Sequence, residues 1–187
     1  MINAFYEPFP LKVSGYRIVT DFKDWIRFSD MMNDKDLSND EKTSLLLNWF
    51  IDTPERLTDE LIFALCDFYK VKALEPEPPE DDEIEQEETV SSPPVLNWKI
   101  DAPCIIADFQ RFYSINLLTA KMHWWRFKIL FSALPDNSQI MRRIGYRSVD
   151  IGQIKNADER KRILELKQLY ALPYELDDRD IGAMFMS

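Results

Sequence analysis

Thr119-Ala-Lys-Met-His-Trp-Trp-Arg-Phe-Lys-Ile-Leu-Phe-Ser-Ala-Leu134 is apolar around its whole circumference when wound as a helix. At about 100° per residue, Trp124, Phe127, Phe131 and Leu134 fall on one side, and Met122, Trp125 and Ile129 fall nearly opposite. A helix with two apolar sides must be sandwiched, and the second layer is either the rest of this chain or another polypeptide. The first reading makes it the central helix of a helical domain. The second makes Trp124, Phe127, Phe131 and Leu134 a docking face for a partner helix.

The flanking sequence supplies the other helices. Asp101-Ala-Pro103 is expected to start one, with Ile105, Phe109, Phe112 and Tyr113 on its apolar face and Asp108 and Arg111 off it. The seven-residue spacing of Asp101 and Asp108 could place both carboxylates on one face, but Asp101 reads better as a cap. Ser138 caps a short basic helix ending near Gly145. Asn156-Ala-Asp-Glu159 has the form of a capping box, leading into Ile163, Leu166 and Tyr170 and stopped by Pro173.

Towards the N-terminus, Thr20 or Asp21 caps a helix carrying Phe22, Trp25, Ile26 and Ser29 at helical spacing, with Phe28 beside them. Ser38-Asn-Asp-Glu41 is a second capping box, with Leu45, Leu46, Trp49 and Phe50 as the apolar face behind it. Thr53-Pro54 is expected to open the third helix, through Leu61, Ile62, Leu65, Phe68 and Tyr69 towards Leu74. Before all of these, Val13, Tyr16 and Ile18 flank Ser14-Gly15, which predicts a small β-hairpin.

The fold class is therefore mainly α, a helical domain of about six helices with a small N-terminal hairpin. Only four Gly in 187 residues argues against a turn-rich all-β alternative. Residues 1–74 and 95–173 are expected to share a core as one domain, including Phe22, Trp25, Trp49, Phe50, Leu65, Phe68, Ile105, Phe109, Trp125, Ile129 and Tyr170. Residues 75–94 hold nine acidic residues, five prolines and no basic residue, a composition that predicts a disordered linker. A spacer role is the simpler account of it; a mimic for a basic partner is the sharper one. The net charge of −10 sits almost wholly there, since residues 95–187 have 14 basic groups against 11 acidic. Residues 174–187 are expected to form a flexible tail ending in Met184-Phe185-Met186, a second candidate for partner binding.

The chemistry-bearing motifs are missing. His123 is the one histidine, and no second imidazole, cysteine or carboxylate pair stands near it in the chain at ligand spacing. The four glycines form no phosphate-binding loop, and no nucleophile elbow or kinase signature occurs. The expectation is a protein with no catalytic, cofactor-binding or metal-binding residues. Cys66 and Cys104 lie in apolar stretches and read as buried thiols. No signal peptide or membrane-length apolar run is apparent, which predicts that the chain stays in the cytoplasm and has no membrane partner. Lys121, Trp124, Trp125, Arg126, Phe127 and Lys128, followed by Arg142, Arg143 and Arg147, could stack bases and pair phosphates. The C-terminal part is far less basic than most nucleic-acid modules, so no nucleic-acid partner is expected.

Three stretches carry a family likeness: Asp21-Phe-Lys-Asp-Trp-Ile-Arg-Phe28, then His123-Trp-Trp-Arg-Phe-Lys-Ile-Leu-Phe-Ser-Ala-Leu-Pro135, then Gly145-Tyr-Arg-Ser-Val-Asp-Ile151 with Leu169-Tyr-Ala-Leu-Pro173. From about Asp21 to Pro173 the chain resembles the bacteriophage Gp-fifteen family of tailed phages and prophages of Gram-positive hosts. The resemblance implies a tail assembly chaperone that coats the tape-measure protein while the major tail protein polymerises around it. It implies a protein of the host cytoplasm that is absent from the mature virion; a homo-oligomer is compatible with the role. The competing readings are a structural tail protein retained in the virion and a nucleic-acid-binding phage regulator. No individual contact residue transfers from the resemblance.

Overall fold

The computed structural model describes residues 5–74 and 94–173. These residues form two compact units, one of 5–74 with 109–134, the other of 94–108 with 135–173. Residues 109–134 thus belong with the N-terminal residues rather than with their sequence neighbours. The expected linker, apart from Pro94, and the expected tail lie outside the described residues. Seven α-helices and one hairpin occur among the described residues.

In the first unit, β1 (Lys12–Val13) and β2 (Tyr16–Arg17) pair antiparallel, with Val13 opposite Tyr16. The turn puts Ser14 at φ 47° and Gly15 at φ 89°, the two positive values a tight hairpin with right-handed twist requires. Helix α1 (Phe22–Asn33) starts at Asp21, whose carboxylate accepts from the Lys23 amide. Helix α2 (Asn39–Leu45) starts in the expected capping box, with Ser38 and Glu41 each accepting the other's backbone N–H.

Several expected helix boundaries move. The run through Phe50 tightens into a 3-10 turn (Leu46–Trp49) and then extends, because Ile18 and Phe50 pair as a β-bridge and the Ile51 amide donates to Arg17 O at 2.8 Å. Helix α3 (Asp59–Lys70) therefore begins after Thr58, not at Thr53-Pro54; Pro54 is buried in the loop instead. Helix α5 (Trp124–Ser132) is likewise shorter than 119–134. Asp21 and His123 form an isolated bridge, with the Phe22 amide donating to Met122 O and the Trp124 amide to Thr20 O, so the residues before Trp124 are extended.

Tryptophans organise this core. Each of four indole N–H groups donates to a backbone carbonyl: Trp25 to Val19, Trp49 to Asp24, Trp124 to Tyr69 and Trp125 to Phe68, at 2.8–3.1 Å. Their rings can therefore be buried with the polar atom satisfied, which keeps the full benefit of removing a large apolar surface from water. Phe127 lies between Phe22 and Phe109, stacked on both at 4.8 and 5.2 Å between centroids.

The second unit has a different interior. Helix α4 (Trp98–Tyr113) contributes residues 98–108 to it, followed by α6 (Gln139–Ser148) and α7 (Ala157–Leu169). Asn97, not Asp101, caps α4, its side chain accepting from the amides of Lys99 and Ile100. Pro103 lies inside the helix rather than at its start. Two further expectations about the core change: Ile129 is partly exposed and Tyr170 half-buried, whereas the other nine expected core residues are buried. Asp108, expected off the packed face, is fully buried.

Candidate functional site

Trp124 and Phe127 are 0% exposed, and Phe131 and Leu134 are also buried. The face of α5 expected to dock a partner is thus the face that fills the protein's own core, and the opposite side buries Met122 and Trp125 as well. Ile129, the third residue of that opposite side, is 39% exposed. The reason for the burial is long-range pairing: bridging Asp21 to His123 brings the start of α5 against the start of α1, and the two indoles reach the carbonyls of Phe68 and Tyr69 on α3. Met184, Phe185 and Met186 lie outside the described residues. The same burial places the rings of Trp124, Trp125 and Phe127 where bases cannot stack on them.

The ionisable groups with unusual surroundings bear on structure. Asp101 is fully enclosed and meets Arg147 in a two-pronged pair, with guanidinium nitrogens donating at 2.6 and 2.9 Å. Arg143 stands 3.5 Å away. Burial works to raise the Asp101 pKa, but Arg147, the Asn97 amide and Arg143 together outweigh it and hold the carboxyl below its ordinary range. Arg147 also donates to Tyr170 O and Val95 O, so one side chain ties both ends of the second unit to α6. One turn-pair further along α4, Asp108 accepts from the amides of Gln139 and Ile140, while Ser138 accepts from Met141. The first three amides of α6 are thereby satisfied. The sequence hinted at these two carboxylates only through their spacing.

His123 has a defined tautomer. The Trp125 amide donates to its Nδ1, so Nε2 carries the proton and donates to Pro10 O at 3.0 Å. Burial pushes its pKa below the ordinary imidazole value, partly offset by the bond to Pro10. On the surface, the hydrogen bond from Arg17 holds Asp52 down at about 2. Cys104 is buried as expected but Cys66 only half-buried, and burial pushes both thiols up.

The large apolar side chains left in solvent lie elsewhere than α5's inner face. In the first unit they include Phe5, Tyr6, Leu11, Ile51, Phe63 and Leu118, and in the second Ile100, Leu164 and Leu169. Among the described residues no helix is long and apolar enough to cross a membrane. Nor does any group of three His, Cys, Asp or Glu among them stand where it could hold a metal ion.

No curated protein and no solved structure gives a significant match to the chain. The family model described as Bacteriophage Gp15 protein matches residues 5–172. With a match of that extent, and with the mainly helical fold on which the sequence patterns converge, this chain belongs to the bacteriophage Gp15 protein family.

Proposed function

We propose that this phage protein is a tail assembly chaperone that binds the tape-measure protein in the host cytoplasm, with the major tail protein polymerising around the coated client. The family match across residues 5–172 carries the reading. Its physical complement is the apolar surface: Phe63 and Leu118, each about two-thirds exposed, stand on ordered parts of the first unit, and Leu169 is exposed at the end of α7. An amphipathic client helix is held by side chains of that kind, and a surrounding charged surface keeps the complex in solution.

The test is co-expression with the tape-measure protein of the same phage. The expected result is a soluble client that copurifies with this chain, and a smaller soluble fraction when Phe63 and Leu118 are both replaced by Ser. A client equally insoluble with and without the protein refutes the reading. Finding the chain as a stoichiometric component of purified virions by mass spectrometry supports a structural tail protein instead.

A further inference from the structure

The segment leading into the hairpin, 5–10, is built to be fastened rather than woven in. Pro8 and Pro10 have no amide hydrogen, so the segment cannot form a continuous ladder with a neighbour. Phe5 and Tyr6 are 94% and 87% exposed, whereas Phe9 and Pro10 are half-buried. Phe9 lies over the His123 ring at 5.2 Å and beside Trp125 at 6.0 Å, and Pro10 O receives the His123 Nε2 proton. Phe68 meets the other rings of this cluster, at 5.7 Å from His123 and 5.3 Å from Trp125.

We propose that residues 5–10 are a detachable strap over the Phe68–Trp125 ring surface, fastened by neutral His123 and released when that imidazole is protonated. The bonding pattern requires it. With Nδ1 accepting and Nε2 donating, the neutral ring satisfies both partners; a proton added to Nδ1 faces the Trp125 N–H, so the ring must leave its place at the start of α5. Moving the ring withdraws the donor from Pro10 and the surface from under Phe9.

The charged groups on the surrounding elements do not supply an anion to hold an imidazolium there. Asp21 places its carboxylate on the amides of Lys23 and Met122, and Asp67 on α3 pairs with Lys72. Lys23 Nζ is bound to Leu118 O. Lys121 and Arg126 flank His123 in the chain, Lys70 ends α3, and Glu7 on the strap is exposed, so the acidic group nearest in the chain to Phe9 stands in solvent.

The chain's single histidine gives one imidazole signal, so its titration by NMR can be followed alongside the ring-to-ring contact of Phe9 with Trp125 in the intact protein. Between the lower pKa of the fastened ring and the ordinary pKa of the released one, the ratio of released to fastened strap, read from the loss of the Phe9–Trp125 Overhauser contact, should rise by up to about tenfold per unit fall in pH. Contacts within the core, such as Trp25 with Phe28, should not follow. His123→Asn keeps an acceptor for the Trp125 amide but cannot reach Pro10 O. It should lack the Phe9–Trp125 contact already at neutral pH, without the pH step, while remaining folded. Phe9→Ala should return the imidazole towards its ordinary pKa. A wild-type Phe9–Trp125 contact with no pH step overturns the proposal, as does a contact equally strong in His123→Asn or a pH step shared with the Trp25–Phe28 contact.

Discussion

Replacing Arg147 by Met tests the account of the second unit most directly. The substitution keeps an unbranched apolar stem but removes the guanidinium from an Asp101 carboxylate with no solvent exposure. What remains to that carboxylate is Arg143 at 3.5 Å and the Asn97 amide at 3.1 Å. Breaking a buried ion pair from one side costs roughly 3–5 kcal/mol, and Arg143 keeps the expected loss near the lower end, about 3 kcal/mol at pH 7. With a urea m-value of about 1.5 kcal/mol/M, the unfolding midpoint followed by circular dichroism falls by about 2 M. The pH dependence carries the diagnosis. In the wild type the Asp101 pKa is depressed, so its contribution is present above the ordinary carboxylate value and fades as pH falls through the folded-state pKa. In the variant, burial is left to dominate and the pKa is raised, so stability falls as pH rises through that value. The difference between the two proteins should therefore shrink on acidification from pH 7 to below 4. Adding Asp101→Asn to Arg147→Met should recover much of the loss, because no buried charge is then left unpaired. A loss under about 1 kcal/mol with no pH dependence, the behaviour of an exposed pair, would refute the reasoning.

Asp108→Ala removes acceptors from two of the first amides of α6 and should cost about 2 kcal/mol in the same melt, with Asp108→Asn, which keeps one oxygen, costing about half as much. Ser114 follows α4 in a left-handed conformation, φ 55°, with its side chain exposed, so Ser114→Gly should stabilise the protein by about 0.5–1 kcal/mol, seen as a raised thermal midpoint.

Local signals were the legible ones. Asp21, one of the two candidates Thr20 and Asp21, and Ser38 with Glu41, Ser138 and Asn156 each cap a helix where the sequence announces one, since a cap involves residues two or three apart. The Ser14-Gly15 turn is legible for the same reason. Hydrophobic spacing identified α5 as apolar on two sides, of which one is enclosed and the other buries Trp125 but leaves Ile129 partly exposed; it could not say what covers them. That depended on Trp124 and Trp125 reaching carbonyls 55 and 57 residues away. The same distance problem hid the roles of Asp101 and Asp108, whose partners lie 46 and 31 residues ahead. It also misplaced the start of α3, because Thr53-Pro54 has the form of a helix start while the backbone of Ile51 is already committed to Arg17. For the partner-docking surface, periodicity marked the side chains that crave burial most, and these are the first the chain itself encloses.

The two indoles that finish α3 also set a timetable. The carbonyls of Phe68 and Tyr69 belong to the last turn of that helix, past the reach of its regular ladder, and Phe68 O also accepts from the C-cap amide of Val71. A nascent chain synthesised only to residue 74 lacks both indole donors to those oxygens, although the Val71 amide already reaches Phe68 O. At about 5–20 residues per second, some seconds pass before Trp124 and Trp125 emerge from the ribosome. Throughout that interval the leading segment waits half-built. Lengthening the stretch between would prolong the wait in proportion, yet doubling a closed loop adds only about 0.6 kcal/mol to the finished fold, so synthesis time is far more sensitive than stability to the size of that insertion.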